Sequence, residues 1–368
     1  MSYRNRKILY RKIEEKRKRP LISYVTSIRP NLSSSMGGDA VAEIIQQIQL
    51  IPEDKKEVDF IIISNGGDPI VALRIISMLR ERFEKVSVLL PYVAYSAATI
   101  LALGADEIVM HPFSNLGPID PQLTTIKRDQ QGKVEQRHFS SEDLRNFIEF
   151  IKTDVGITDQ QHLISAISPL LNDVGPLQIG SAKRGQQLSL SLSEKMLNLH
   201  QTDKNICKNI ARALNSSYYH HGYAVGRKEA QQIGLSIVIP DKELENLLWS
   251  IWTDFSQEMK ANTVFDPIRE IFEDEDAAAI ISTIPVVEIP ANTPPALAQN
   301  MLAQISQASA KVENKRTLRL QHLIASIEST KLARASYANS DIAYWRQADM
   351  SIGFNCNIFP SGWTQYKQ

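Results

Sequence analysis

Cysteine is scarce in this chain: Cys207 and Cys356 are the only two in 368 residues, far apart and outside any metal-ligand spacing. That excludes a disulfide framework and a cysteine-rich zinc module, and buried thiols are expected instead. Long apolar runs are missing as well. No segment approaches the roughly 18 uninterrupted apolar residues that a membrane helix needs. The first residues lack the apolar core of a signal peptide, so a cytoplasmic chain is expected. Charge of one sign is not in excess, since 41 Lys and Arg balance 41 Asp and Glu. This removes the general electrostatic case for a nucleic-acid or strongly acidic partner. Neither a Gly-x-x-x-x-Gly-Lys-Ser/Thr phosphate loop nor a Gly-x-Gly-x-x-Gly fingerprint occurs, so no nucleotide cofactor is expected and any energy source must come from another protein.

What is present is apolar residue enough, 43% against 22% charged, to bury a full core and to suit one large domain with an appendage. Local charge is uneven. Residues 1–20 carry Arg4, Arg6, Lys7, Arg11, Lys12, Lys16, Arg17, Lys18 and Arg19 against only Glu14 and Glu15. They read as a basic N-terminal arm, solvated in the simplest case, with an anionic lipid surface or RNA as alternative contacts.

Beyond the arm, β-branched and helical periods alternate. Leu21 to Thr26 reads as a strand, Asp39 to Gln49 as a helix, Val58 to Ser64 as a buried strand and residues 69 to 83 as a helix. Val86 to Leu90, a helix from Ser96 closing at Gly104, and Glu107 to Met110 continue the pattern. Strands separated by single helices imply a parallel sheet of repeated βαβ units with right-handed crossovers, and ligands in such sheets sit at the carboxyl ends of the strands. From Asp143 to about Asp254 the pattern is mostly helical, with breaks expected at Pro169, Gly175-Pro176 and Gly180. Ile233-Gly234-Leu235 reads as a glycine-capped helix end followed by a short strand from Ser236 to Ile239. The expected fold class is therefore α/β with a mostly helical second half and a small C-terminal appendage. The expected division is a domain over 21–255, an acidic and Pro-rich linker over 256–290, and a C-terminal helix (about Leu297 to Ile327) with an aromatic tail over 291–368.

The chemistry concentrates between residues 58 and 123. A strand ends in Ser64-Asn65-Gly66-Gly67, and a later strand-to-helix turn carries Ser96 in Val93-Ala94-Tyr95-Ser96-Ala97-Ala98. Glycine at a strand end permits positive φ and close substrate approach. A serine at a helix start gains from the first-turn amides. Peptide N–H groups at Gly67 and Ala97 would then be oxyanion donors for a Ser96 nucleophile, the layout of an acyl-transfer site. Alone, Asn-Gly-Gly is a common turn and a helix-starting serine is commonly an N-cap. Their order within one βαβ pattern is what favours chemistry. Asp106 and Glu107, adjacent at a strand start, point to opposite faces and do not make a paired-carboxylate site; Asp106 is expected to order the helix-to-strand turn.

These segments, with Ala105-Asp106-Glu107-Ile108-Val109-Met110 and Leu116-Gly117-Pro118-Ile119-Asp120-Pro121-Gln122, resemble the serine dehydrogenase proteinase (SDH-type) family of the ClpP/crotonase superfamily, relatives of the ClpP and SppA peptidases. His221-Gly222-Tyr223, Glu229-Ala230 and Ile233-Gly234-Leu235 are similar to that family's downstream motif, and the likeness spans roughly residues 20 to 250. The resemblance implies a ClpP/crotonase-like fold and a serine peptidase acting through a triad in the order serine, aspartate, histidine. Ser96 matches the nucleophile, Asp120 the acid and His221 the base. His111 and His220 are alternative bases, and Lys183 is a candidate for the lysine base that SppA relatives use. Glycine usually flanks the superfamily nucleophile, whereas Ala94 and Ala98 do so here, so a different turn geometry is expected. The resemblance further implies a polypeptide substrate, a homo-oligomer, no cofactor and no metal, with a peripheral membrane or an unfoldase as further partners. Two other functions share the fold: an acyl-CoA enzyme that needs no serine nucleophile, and an oligomeric scaffold whose triad has decayed.

Overall fold

The computed structural model describes residues 3–128, 134–216, 222–282, 290, 292–311, 315–346 and 351–366. The chain enters through helix α1 (Tyr3–Arg17) and then lays down β1 (Leu21–Thr26), α2 (Ala40–Gln49), β2 (Glu57–Ile63), α3 (Pro69–Arg82) and β3 (Lys85–Leu90). It continues through β4 (Val93–Ala94), α4 (Ala97–Leu103), β5 (Glu107–Met110) and β6 (Asn115–Leu116). A hairpin of β7 (Gln122–Arg128) and β8 (Val134–Ser140) leads into α5 (Ser141–Thr153), α6 (Gln160–Val174), α7 (Pro176–Leu197) and α8 (Lys204–Ser216). Next come β9 (Val225–Gly226), α9 (Arg227–Gln232), β10 (Ile237–Val238) and α10 (Lys242–Glu258). The last third holds α11 (Pro267–Glu273), α12 (Glu275–Ser282), α13 (Pro295–Lys311) and three long strands, β11 (Arg316–Glu328), β12 (Ala333–Arg346) and β13 (Ile352–Gln365).

One sheet in the order β10-β5-β3-β2-β1-β11-β12-β13 organises the molecule. From β1 to β10 its neighbours are parallel, as the alternation of strand and helix predicts. Both faces of this half are covered, which is why its strands read as unbroken apolar runs. Ile22, Tyr24, Val58, Phe60, Ile62, Val88 and Ile108 join the core beneath α2, α3, α4, α7 and α8. Leu21, Val25, Ile61, Ile63, Leu89 and Val109 alternate with them to the other face, where α1 and α10 lie. The predicted fold class, an α/β sheet of βαβ units with a mostly helical second half, is the one observed. Gly234, at φ +100°, caps the end of α9 ahead of β10, as its sequence context predicts.

Four expectations differ from the structure. The basic residues 3–20 are no solvated arm. Arg6 is fully buried on α1 and pairs with Glu328 of β11 and with Asp254 and Glu258 of α10. Arg17 and Arg19 reach the amino ends of the parallel strands, where they bind Asp59, Glu57, Ser87 and Glu107. Acidic residues distant in sequence consume this positive charge, which no local reading can reveal. The segment 256–290 is not a plain linker: Phe265, Ile271, Ala277 and Ile281 pack α11 and α12 onto Ala338, Ile342 and Tyr344 of β12. The C-terminal part is no appendage either. Its predicted helix to Ile327 ends at Lys311, and β11 pairs antiparallel with β1 from Ser23↔Glu328 to Thr26↔Ala325, extending the main sheet. Breaks were expected at Pro169 and Gly180, yet these lie inside α6 and α7; only Gly175-Pro176 separates two helices.

Against the burial that would raise it, hydrogen bonds from Ser87, Arg17 and Lys85 hold the Glu107 carboxyl down at about 2. A carboxylate depressed in the folded state stabilises above its unfolded value, about 4.3, and loses that contribution as pH falls toward the folded value. Urea midpoints measured from about pH 5 to pH 2 should therefore fall less steeply in Glu107→Gln than in the wild type. Equal slopes would show that the cluster is not linked to folding.

Candidate active site

The amino ends of the parallel strands carry the arginine and carboxylate cluster, and the opposite ends carry the predicted site. Strand β2 leaves the sheet at Ser64, whose buried hydroxyl accepts from Thr26 Oγ1 at 2.8 Å and from the Gly66 N–H at 3.0 Å. Those bonds set the turn that puts Gly66 at φ +102° and Gly67 at φ +150°, both in the region that glycine alone enters freely. Gly67 forms an isolated parallel bridge to Met36, made by Met36 N–H to Gly66 O and Asp68 N–H to Met36 O. In a parallel bridge the flanking residues supply the bonds, so the Gly67 N–H points away from Met36.

Ser96 sits where β4 turns sharply into α4. Its backbone is at φ +52°, ψ −119°, outside every well that an L-residue favours, and its hydroxyl makes no capping bond to the helix it starts. Gly66 lies directly against it. A Cβ at Gly66 would stand 2.7 Å from Ser96 Cβ, 2.6 Å from the Tyr95 carbonyl and 3.0 Å from the Ala97 nitrogen. Thus the glycine turn and the serine turn, thirty residues apart, share one wall. Ala97 begins α4, so its N–H has no partner within the helix. Ala94 is in strand and Ala98 is a buried helical residue, and the positive φ of the turn falls on Ser96 itself.

A small second sheet, β4-β6-β9, joins the segments that carry the other candidates. Val93 and Ala94 pair with Asn115 and Leu116, which pair in turn with Gly226 and Val225. Asp120 follows on the loop after β6, half-buried, and the Ile119 N–H donates to Leu214 O on α8 at 2.8 Å.

The sequence of residues 2–142 matches the ClpP-like SDH-type serine proteinase family. That part of the chain is similar to this family. The SDH-type match begins earlier than the motifs that first suggested it and takes in the basic helix α1, whose arginines lock the sheet. The chain is 40% identical over 81 residues to an uncharacterized protein of Methanocaldococcus jannaschii, covering 22% of this chain and 27% of that one. To a second uncharacterized protein of the same organism it is 26% identical over 196 residues, covering 53% and 58%. It thus spans between a quarter and three-fifths of the curated relatives it matches. Among solved structures, a mutant of the 1510-N membrane-bound stomatin-specific protease aligns with a TM-score of 0.36 and 13% identity, over 62% of this chain and 84% of that one. That last likeness is too distant to bear on activity. Among the described residues no helix is long and apolar enough to cross a membrane.

Within this ClpP-like frame the remaining candidates separate. His221 and its neighbour His220 lie outside the described residues. Their described flanks do not. Leu214 is bonded to the Asp120 loop and Val225 is paired with Leu116, so the chain on either side of His221 is tied to the segment that carries Asp120. His111 is buried in an aromatic cluster, stacked 5.0 Å from Trp249, and its Nδ1 accepts from the Phe113 N–H. Burial lowers its pKa, and it makes no bond to Ser96. Elsewhere, His162 pairs with Asp159 on α6, His200 Nε2 meets Leu103 O, and His322 lies between Arg29 and Ser340. Lys183 is exposed on α7, without the desolvation a catalytic lysine requires. Asp106 does order its turn, accepting from the Val86 N–H and pairing with Arg80. The bridging bonds of Met36, Thr26, Ser64 and Leu214 were not legible in the sequence, because single bridging residues leave no periodic signal.

Proposed function

We propose that this chain is a serine hydrolase that cleaves polypeptide through an acyl-enzyme on Ser96. His221, oriented by Asp120, takes the Ser96 proton as Oγ bonds to the scissile carbonyl carbon. The N–H groups of Gly67 and Ala97 receive the oxyanion. The C–N bond then breaks, the proton passes to the leaving amine, and water repeats the sequence to free the acid. The backbone of Ser96 carries this reading. A φ of +52° with ψ −119° costs a non-glycine residue about 1–3 kcal/mol. A serine serving only as an N-cap would hold ordinary extended angles and a capping bond. A strained strand-to-helix turn instead presents Oγ outward, as nucleophile elbows do. The match of residues 2–142 to a serine proteinase family supports the same reading.

A fluorescent fluorophosphonate tests it on wild type, Ser96→Ala and His221→Ala at pH values from about 6 to 9. The wild type should label, and both variants should not. A folded wild type that stays unlabelled throughout overturns the activated serine and leaves the acyl-CoA enzyme or scaffold, neither of which needs that nucleophile.

A further inference from the structure

Thr99 is fully buried on α4, one turn beyond Ser96. Its hydroxyl reaches two carbonyls that belong to different parts of the site. One is Ala94 O at 2.7 Å, in the strand that leads into Ser96; the other is Gly117 O at 2.9 Å, in the loop that leads to Asp120. The same Ala94 O also accepts the Gly117 N–H at 2.8 Å. Gly117 is therefore gripped at both its N–H and its C=O, three residues ahead of Asp120, and Thr99 supplies the second grip three residues past Ser96. The grip is tight because Gly117 has no side chain. A Cβ there would lie 2.3 Å from the Tyr95 ring, which packs over the glycine.

We infer that Thr99 is a positioning residue that fixes the Asp120 loop relative to Ser96. This rests on the proposed roles of Ser96 and Asp120. One hydroxyl carries one proton, and here that proton is shared between the two carbonyls. Neither strand pairing nor helix hydrogen bonds can replace it, since the Gly117 carbonyl lies beyond the two-residue β6. Valine keeps the volume of Thr99 and its branching at Cβ but offers no donor. The Gly117 carbonyl is then held only by its packing, and the loop bearing Asp120 can shift. A misplacement of about 1 Å in such a site costs on the order of 100-fold in rate.

The test compares second-order fluorophosphonate labelling rates, per molecule of folded protein, in wild type, Thr99→Val, Thr99→Ser, Asp120→Asn and the Thr99→Val, Asp120→Asn double variant. Thr99→Val should label at least about tenfold more slowly, and Thr99→Ser, which restores the donor, should return close to the wild-type rate. The losses from Thr99→Val and Asp120→Asn should not add, because one acts through the other. Full additivity, or Thr99→Ser as slow as Thr99→Val, overturns the inference and makes Thr99 a packing residue. Wild-type labelling in Thr99→Val overturns it while leaving Ser96 as nucleophile; an unlabelled wild type overturns both. Should Thr99→Val fail to fold, Thr99→Cys takes its place. Its weak S–H donor must give a rate below that of Thr99→Ser.

Discussion

Gly66→Ala should abolish fluorophosphonate labelling of Ser96, by more than about 100-fold. The new methyl would meet the Tyr95 carbonyl at 2.6 Å, Ser96 Cβ at 2.7 Å and the Ala97 nitrogen at 3.0 Å. Two of these are backbone atoms that cannot rotate away. Positive φ compounds the clash, because at +102° an L-residue is strained even in open space. Relief requires the Gly66 turn to part from the Ser96 turn, and that movement displaces the proposed nucleophile together with the proposed donors at Gly67 and Ala97. Folding should suffer as well, by about 1–3 kcal/mol, the usual cost of a forced backbone conformation. Gly180→Ala is the matched control. It lies inside α7 with nothing near its missing Cβ, so it should stabilise by about 0.5–1 kcal/mol and label normally. Labelling of Gly66→Ala at the wild-type rate would mean that Gly66 and Ser96 do not share a wall in solution.

The second large effect lies far from the site. Arg6→Met should destabilise the protein by about 3–5 kcal/mol, the range for stranding a buried charge by removing its partner. Arg6 holds Glu328 through Nε at 3.0 Å and Nη2 at 2.7 Å, Asp254 through Nη1 at 2.5 Å, and Glu258 beside them. Its guanidinium also lies 4.0 Å from the Phe255 ring centroid. Tyr10 donates to the same Glu328 at 2.8 Å. One cation among three carboxylates is an acidic excess, and burial already pushes the Glu258 carboxyl up despite the nearby guanidinium. Without Arg6 the Glu258 carboxyl favours its neutral form still more. A group raised in the folded state stabilises below its unfolded value and loses that contribution as pH rises. Denaturant midpoints for Arg6→Met should therefore approach the wild type as pH falls from about 7 toward 4–5. A deficit below about 1 kcal/mol at neutral pH, typical of a surface pair, would show the cluster to be wetter than its burial indicates.

Parts of this molecule were legible in one dimension because their information is local. The apolar runs at 21–26, 58–64, 86–90 and 107–110 become β1, β2, β3 and β5, since strands covered on both faces must be apolar on both. Between them, α2 and α3 follow their helical periods, and Gly66-Gly67 and Ser96 fall at the strand ends where the crossover pattern places them. The segment Arg316–Glu328 reads in sequence as the end of a helix, and it is a strand. It fits a helix or a strand until β1 and β12 are beside it. Two-residue strands such as β4, β6 and β9 carry no period at all, yet they hold the Ser96 turn against the Asp120 loop.

Local signals along the chain settle the parallel half of the sheet and the strand ends at which Gly66-Gly67 and Ser96 fall, because periodicity, glycine and helix starts act over a few neighbours. Only the tertiary structure decided that the first helix and the last strands close on each other through Arg6 and Glu328, 322 positions apart. It alone put Gly66 against Ser96 and gave Thr99 its two carbonyls. Those outcomes depend on desolvation and on hydrogen bonds between distant segments, whose energies exist only once the chain has folded around them.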